Sequence, residues 1–560
     1  MGTPFDPLSP VEQLVAANVS SGGFTRLGDG ARPEAASPER VLRAQLLRWL
    51  LLGRDGAARL HEKGLRLTGA FVEGALDLEG CRISADLRLA DCAFDAAVVL
   101  RSATLDSLLL DGSALPGLQA EKLGARGGVY LRGAALKGPI DLRGARLGGA
   151  LVCDGADVDR PGGVALAADH LEARGGVHLR GATVRGVVDV SGAQVHGSLD
   201  LTGLAIDHPG ADALRAERLW TRGDVLLRRA TVRGCCVFTG ARIGGDVDLG
   251  GTALSAPGDD ALLLNRAAID GALMMRDGFS VEGLLNLNGT TVEALVDAPE
   301  CWPAAGDLAL NRFIYEGFLA APSDAASRLD WLSRQDPRRW GEDFWPQPYE
   351  QAARVLAATG HGDDAKRVLV VRERLQRRAR RARARPAAWR ALMWLSDGLL
   401  RVTIGYGREP LRAFLWLALF WLAGVGAYAV AEAEGAIRPA PVLALRSPEW
   451  VLCAIPADET VTLASLGASR NGLAEPGQGQ VACFIAQPEI ASYPKYNPWM
   501  LSLDTILPAV DSGQSAAWSP DVRSPIGYAV KATGYVLTLL GWALSLLAVA
   551  GFSGIVRSSG

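Results

Sequence analysis

The chain has 560 residues, of which 49% are apolar and 21% charged, and its formal net charge is −3. Charge this close to balance argues against a protein that coats nucleic acid with a basic surface, so we expect no specific nucleic-acid partner. The eight cysteines form no CxxC pair and no cluster with histidine, which argues against a structural zinc site.

The N-terminal segment, residues 1–63, lacks the basic and apolar regions of a cleavable signal peptide. It contains the apolar stretch LRAQLLRWLLLGRDG, and we expect it to form an N-terminal helical cap. The cap precedes a long repetitive region.

A repeat of 48 residues dominates the next part of the chain. The sequences VYLRGAALKG, VHLRGATVRG, VLLRRATVRG and LMMRDGFSVE begin at Val129, Val177, Val225 and Leu273. Pro-Gly pairs recur at the same interval, and a shorter unit, L-x-L-x-G-A-x-[LIV]-x-G, recurs every ten or eleven residues. A fixed period of this kind indicates a repeat architecture.

The short unit predicts a mainly β fold. Two apolar residues at alternate positions make a short strand with both side chains on one face, and the Gly-Ala that follows predicts a corner where no large side chain fits. Helices are excluded at this glycine density. We therefore predict a right-handed parallel β-helix, quadrilateral-like in section, over residues 64–300. About ten coils over residues 64–294, stacked at ~4.8 Å, would make a rod on the order of 50 Å long.

The 48-residue step also places charges in phase, which on a solenoid means on one face. One interpretation is a basic face that docks an acidic protein or another anionic partner. The other is that a repeat copies its solvent-facing residues along with its core, and aspartates repeat too, at Asp141 and Asp189 and at Asp200 and Asp248. The candidate docking face has three phases: Arg132, Arg180, Arg228 and Arg276; Arg126, Arg174 and Arg222; and Lys137, Arg185 and Arg233.

No stretch of the repeat predicts catalysis. Of the vicinal pair Cys235 and Cys236 we expect one side chain to point inward and one outward, and we expect His178 to be solvated. No GxSxG, Walker A or HExxH motif occurs. We assign no catalytic, cofactor-binding or metal-binding residue.

Residues 301–386 have helical spacing and predict a helical hairpin. Tyr349, Ala353, Leu356 and Ala357 can share one stripe, and the break at residues 360–362 separates it from a second helix. An arginine run follows, which we interpret as an anchor for anionic lipid headgroups beside the membrane. The anchor residues are Arg377, Arg378, Arg380, Arg381, Arg383 and Arg385.

The C-terminal part predicts two membrane spans. Residues 387–409 favour an interfacial amphipathic helix, and residues 410–431 and 532–556 are long and apolar enough to cross the hydrocarbon core. With no export signal ahead of the first span, we expect the β-helix and the C-terminus in the cytoplasm and the protein in a bacterial inner membrane. The loop at 432–531 would be extracytoplasmic, where Cys453 and Cys483 could form a disulfide.

The loop ends in YNPWMLSLDTILPAVDSGQSAAWSP, residues 496–520. This segment could be a re-entrant pore helix, although it contains no carbonyl filter of the TVGYG type. Alternatively it packs against the outer leaflet and shields the spans.

Nearly the whole chain resembles a bacterial family. The stretch in the N-terminal cap, the Gly-Ala units, RLDWLSRQ, PQPYEQAARVLAATGHGDDAKRVLV and IGYGREPLRAFLWL are similar to an uncharacterised family of membrane-anchored β-helix proteins with units like pentapeptide repeats. Some relatives are labelled membrane-associated oxidoreductases. The resemblance implies the fold and the anchor and supplies no catalytic residue.

Three functions follow as hypotheses. The first is a non-enzymatic cytoplasmic scaffold, fixed to the bilayer, that docks a protein or anionic partner. The second is an oligomeric two-span channel that is gated by its cytoplasmic β-helix and assembles as a homo-oligomer. The third is a membrane-associated oxidoreductase, although no residue of the sequence supports this activity.

Overall fold

The structure is a computed structural model that divides into two compact units, Met1–Arg372 and Glu373–Gly560. The described residues are 5, 7–53, 60–383, 393–394, 398–399, 402–403, 411–454, 473–475, 477–507 and 509–552.

The first unit begins with helices and with strands. Helix α1 (Pro10–Ser21) starts at a capping box formed by Ser9 and Glu12, and helix α2 (Ala44–Leu52) follows. The strand Thr25–Arg26 pairs with the first coil of the larger sheet and Val41–Arg43 with the smaller one. The predicted helical cap therefore also contains strands that continue the repeat.

The repeat folds as a parallel β-solenoid of about 12 turns, which confirms the predicted class of fold. The larger sheet consists of Thr25–Arg26, Leu65–Thr68, Leu87–Ala90, Thr104–Leu105, Leu108–Leu109, Gly124–Ala125, Val129–Tyr130, Arg146–Leu147, Leu151–Val152, Glu172–Ala173, Val177–His178, Gln194–Val195, Leu199–Asp200, Trp220–Thr221, Val225–Leu226, Arg242–Ile243, Val247–Asp248, Ala268–Met275, Thr291–Asp297 and Ile314–Phe318. The smaller sheet consists of Val41–Arg43, Phe71–Glu73, Ala93–Phe94, Val98–Val99, Ala114–Leu115, Leu118–Gln119, Ala135–Leu136, Ile140–Asp141, Asp157–Ala167, Thr183–Asp189, Ala205–Arg215, Thr231–Val237, Ala253–Leu263, Ser280–Asn286 and Leu308–Ala309.

Equivalent residues of successive coils pair in register, so one ladder of inward side chains runs the length of the stack. It continues past residue 294, which is why the coils outnumber the ten that we predict from the sequence. The ladder is Leu65, Leu87, Leu108, Val129, Leu151, Val177, Leu199, Val225, Val247, Leu273, Leu295 and Phe318.

The 48-residue period corresponds to two unequal coils. From Val129 to Leu151 a coil takes 22 residues, and from Leu151 to Val177 it takes 26. The longer coil contains the Pro-Gly turn inside the strand Asp157–Ala167. This insert closes over Gly186 of the next coil, where an added Cβ would lie 2.5 Å from the Arg160 carbonyl oxygen and where φ is +126°. Gly186 is therefore required by a close backbone approach.

The prediction that no large side chain fits at the corners of the coils is wrong. Gly133 has a φ of 62°, and Arg229, at the corresponding corner two supra-repeats on, has a φ of 53°. A Cβ added to Gly133 would meet no atom within 4 Å, so the side chain at this position points away from the core. The corner requires left-handed backbone, which costs a non-glycine residue ~1–2 kcal/mol, and it leaves the side chain free.

Helices close the C-terminal end of the solenoid. In chain order these are a short 3-10 turn at Pro299–Cys301, α3 (Ala325–Ser333), a second 3-10 turn at Pro337–Trp340, α4 (Gln347–Ala358) and α5 (Gly362–Arg383). The Gln351 amide donates to the Tyr315 carbonyl at 2.6 Å, and Gln347 pairs with the backbone of Arg312 and Phe313. The side chains of α4 thereby satisfy backbone groups of the last strand, which would otherwise be an open edge.

A buried ion pair fastens α3 to the last full coil. Arg328 contacts Asp297 through two hydrogen bonds of 2.8 Å, and both side chains are 0% exposed. The Trp302 indole also donates to Asp297 at 2.7 Å, and the guanidinium lies 3.9 Å from the Phe318 ring centroid. The sequence patterns did not point to this pair.

The second unit contains two helices that are long and apolar enough to cross a membrane, α6 (Leu411–Ala433) and α12 (Pro525–Phe552). The second begins seven residues before the predicted span. Between them lie α7 (Val442–Leu445), α8 (Pro448–Leu452), α9 (Gln480–Ile485), a 3-10 turn at Pro488–Ile490, α10 (Pro498–Ile506), α11 (Gln514–Ala517) and the antiparallel strands Ile437–Pro439 and Trp518–Pro520.

The segment between the long helices has its own apolar core. Trp450, Phe484, Tyr493 and Trp518 pack edge to face, with ring centroids 5.3–6.1 Å apart. The structure joins Cys453 and Cys483 by a disulfide beside this cluster, with their Cα atoms 5.7 Å apart.

Candidate functional site

The first phase of the predicted docking face is neutralised by aspartates on intervening coils. Arg132 lies 3.4 Å from Asp111, and Arg228 lies 2.6 Å from Asp248. Arg180 lies between two carboxylates, 3.6 Å from Asp154 and 3.2 Å from Asp200. Arg276 is 3.4 Å from its neighbour Asp277.

The third phase alternates in sign from coil to coil. Asp159 lies in register with Arg185, Arg185 with Asp207, and Asp207 with Arg233. Arg185 forms an ion pair of 2.8 Å with Asp159, whereas the pair of Arg233 with Asp207 is long, at 3.9 Å. Lys137 begins this column one coil before Asp159. Like the first phase, this column is a mosaic with little net charge.

The second phase differs because its intervening positions carry no acid. In stacking order the column is Arg126, Gly148, Arg174, His196, Arg222 and Gly244, each residue directly following a paired strand residue. Arg126 pairs with Asp106 on the preceding coil. Within the part of the chain that the structure describes, Arg174 and Arg222 have no ion pair, and both are exposed.

The neighbouring strand column extends the same surface. It runs in register as Gly124, Arg146, Glu172, Gln194, Trp220 and Arg242. Arg146 lies 3.6 Å from Glu172, Arg242 is exposed, and the half-buried Trp220 packs edge to face on His196 at 5.1 Å. We call the two columns together, residues 124–126, 146–148, 172–174, 194–196, 220–222 and 242–244, the Arg174 face.

The repeated aspartates have a structural role at the corners. In each case the carboxylate accepts a hydrogen bond from the backbone N–H two residues on, which makes an Asx turn. This turn gives the N–H group at the corner a hydrogen-bond partner. The pairs are Asp141 with Arg143 at 3.2 Å, Asp189 with Ser191 at 3.0 Å, Asp200 with Thr202 at 3.1 Å and Asp248 with Gly250 at 2.9 Å.

The cysteines and His178 are less exposed than we expect from the sequence. Cys235 and Cys236 are both buried, because the Pro-Gly insert covers the side that would otherwise be outward. Burial raises the pKa of the Cys235 thiol to about 12 and raises that of Cys236 as well, so both stay protonated and unreactive. His178 is half-buried, and burial together with Arg180 lowers its pKa.

The predicted lipid anchor is described only in part. Arg377 forms a hydrogen bond of 2.7 Å with Glu373, one turn earlier on α5, and Arg378, Arg380 and Arg383 are exposed. Arg385 and most of the predicted interfacial helix at 387–409 lie outside the described residues.

In the second unit, α10 packs between the two long helices near the middle of each. The Ser502 hydroxyl donates to the Trp421 carbonyl at 2.8 Å, and the Thr538 hydroxyl donates to the Thr505 carbonyl at 3.0 Å. Glycines permit this approach. A Cβ at Gly541 would lie 1.9 Å from the Ile506 carbonyl oxygen.

A cavity of about 220 Å³, lined by polar and apolar side chains, lies between α6, α10, α11 and α12. Its charged lining residues are Asp504 and Lys531, accompanied by hydroxyl side chains. The sequence patterns did not point to these residues, because nothing in their spacing brings a carboxylate of α10 into one cavity with a lysine of α12.

Comparisons with protein-family models, with curated proteins and with solved structures find no match for this chain.

Proposed function

We propose that the protein is a non-enzymatic scaffold, anchored in a bacterial inner membrane by α6 and α12, that docks an acidic protein partner on its solenoid in the cytoplasm. In this proposal the solenoid is right-handed, as parallel crossovers almost always are. We also propose that α4 and α5 form a hairpin and that the predicted arginine anchor binds anionic lipid headgroups. The chain would then belong to the family of membrane-anchored β-helix proteins that its sequence resembles.

One observation carries the docking surface: of the three basic phases, only the second, which lies on the Arg174 face, has no carboxylate at its intervening positions. Glu172, in the neighbouring column of that face, pairs with Arg146. A fully paired mosaic attracts neither sign strongly, whereas unpaired arginines attract an acidic segment over about a Debye length, ~8–10 Å. Trp220 adds an aromatic group of the kind found at the centres of binding surfaces.

The spacing on this face defines the partner further. Arg174 and Arg222 are two coils apart, which is ~9.6 Å at the usual strand separation. Three residues of a polyproline II segment span about the same length, at ~3.1 Å each, and its three-residue turn returns every third side chain to the same face. A partner segment with an acidic residue at every third position would therefore place one carboxylate on each arginine.

A binding measurement on the full chain in detergent tests the proposal. We expect a polyproline II peptide with glutamate at every third position to bind, and binding to weaken as salt rises. Replacing Arg174 and Arg222 by glutamate should abolish binding, whereas replacing Arg185 and Arg233, on the paired column, should leave it nearly unchanged. Equal loss in both variants would refute the Arg174 face as the site.

A second experiment addresses the natural partner. A photocrosslinking amino acid at Gln194, between Arg174 and Arg222 on this face, should form an adduct in intact cells. The same group at Ala205, on the smaller sheet, is the matched control. Adducts of equal yield at both positions would contradict a specific docking surface.

The position of α10 favours a second candidate, an oligomeric two-span channel. A short helix held between two spans near their midpoints is the arrangement of a re-entrant segment, which needs protein around its backbone in a bilayer. Planar-bilayer recording of the purified protein tests this candidate. Currents that disappear on Gly541→Leu would support it, and silence of the wild-type protein would refute it.

A further inference from the structure

The cavity in the second unit is lined by one cation and one anion that are not paired with each other. The Lys531 ammonium donates to the Ser519 hydroxyl at 3.2 Å and lies 5.8 Å from the Tyr535 ring centroid. Within the described residues, no carboxylate forms an ion pair with Lys531, although Asp504 lines the same cavity. Lys531 is also the only charged residue in the sequence of α12.

Asp504 is held rigidly and keeps capacity for a further donor. One of its oxygens accepts the Ser512 N–H at 2.9 Å, and the other accepts the N–H groups of Gln514 and Ser515 at 3.1 and 3.2 Å. A carboxylate has about four acceptor positions, so three hydrogen bonds leave about one of them open.

The cavity extends along α12 in the direction of the helix axis. Lys531, Gly534, Tyr535 and Thr538 line it and recur at helical spacing on one face. Lys531 is ~9 Å from the start of α12 and Thr538 ~20 Å, at 1.5 Å per residue. If α12 spans the membrane, as we propose above, the lysine lies near headgroup depth and the cavity continues toward the acyl chains.

We propose that this cavity binds a membrane phospholipid whose headgroup carries both a phosphate and a primary ammonium, with the phosphate on Lys531 and the ammonium on Asp504. The inference rests on the proposed membrane anchoring. A headgroup of this class matches both charges, and its ammonium can donate a hydrogen bond to the remaining acceptor position of Asp504. A trimethylated ammonium cannot donate, and an anionic headgroup without an amine leaves Asp504 facing a negative charge.

Native mass spectrometry of the delipidated full chain tests the site with three lipids of equal acyl chains. Phosphatidylethanolamine should be retained in preference to phosphatidylcholine and phosphatidylglycerol. Lys531→Met should weaken retention of phosphatidylethanolamine roughly tenfold or more, since it removes a hydrogen bond to a charged group. Lys531→Arg should keep it, and Lys495→Met, an exposed lysine outside the cavity, is the matched control.

The outcomes separate this inference from its premise. Equal retention of the three lipids, unchanged retention in Lys531→Met, or equally tight binding of soluble phosphoethanolamine would overturn the lipid site. Alkaline carbonate extraction of native membranes tests the premise independently. A chain that washes out overturns both the anchoring and the lipid site, whereas a chain that stays in the membrane but shows no lipid preference overturns the lipid site alone.

Discussion

The buried pair of Arg328 and Asp297 should decide whether the C-terminal end of the solenoid stays closed. Asp297→Ala would leave a guanidinium that is 0% exposed without its carboxylate and would remove the acceptor of the Trp302 indole. Breaking a buried ion pair by removing one partner costs about 3–5 kcal/mol. Since a tenfold change corresponds to about 1.4 kcal/mol, the local opening equilibrium should rise by a factor of roughly one hundred to a few thousand.

Hydrogen exchange followed by mass spectrometry measures this effect at separate positions of the rod. Neighbouring coils interact mainly with each other in a solenoid, so the strand Ile314–Phe318 should exchange faster while Leu151–Val152 is unchanged. The double variant Arg328→Met with Asp297→Leu should recover most of the protection, because a well-packed apolar pair often replaces a buried ion pair without loss. Unchanged protection of Ile314–Phe318 in Asp297→Ala would refute the reasoning.

Three further predictions concern other parts of the chain. Gly186→Ala should destabilise the solenoid by a few kcal/mol, since a Cβ there would lie 2.5 Å from a backbone oxygen at a φ of +126°; an unchanged urea midpoint would contradict the close approach of the insert. Cys453→Ser should leave the second unit folded but make the segment between α6 and α12 more sensitive to protease under non-reducing conditions, and wild type treated with reductant should match it. Burial raises the pKa of Glu12, but hydrogen bonds from Arg43 and Ser9 outweigh it and hold that pKa below its ordinary value of 4.5. The stability from Glu12 is therefore present above about pH 4.5 and is lost as pH falls through the lower folded-state pKa, and an acid titration of unfolding should lose this component in Glu12→Gln.

Much of the fold was predictable because the repeat is local. An inward Leu or Val at alternate positions, glycine at many of the corners and a constant period specify a coil that can only bury its apolar face against a copy of itself. The two long apolar segments follow equally from composition, because the hydrocarbon core sets their minimum length. The number of coils was less predictable, since stacking continues to Phe318 after the sequence motif has faded.

The charge of each solenoid face was decided by the stacking. Arg174 and Arg180 each recur at the 48-residue step, so the sequence presents both phases as basic, yet Arg180 lies between Asp154 and Asp200 whereas Arg174 lies between Gly148 and His196. The alternation of coils of 22 and 26 residues sets which side chains become neighbours on adjacent coils. The Pro-Gly insert that lengthens every second coil also covers Cys235.

The sequence by itself determined the elements of this protein: a stack of short strands, an arginine-rich helix and two apolar helices. Only the tertiary structure decided which arginines are unpaired, that Arg328 closes the rod on Asp297, and that α10 lies between the two long helices beside Lys531. The physical reason is that periodicity fixes which face a side chain occupies, whereas ion pairs and close backbone approaches depend on the register between segments that are distant along the chain.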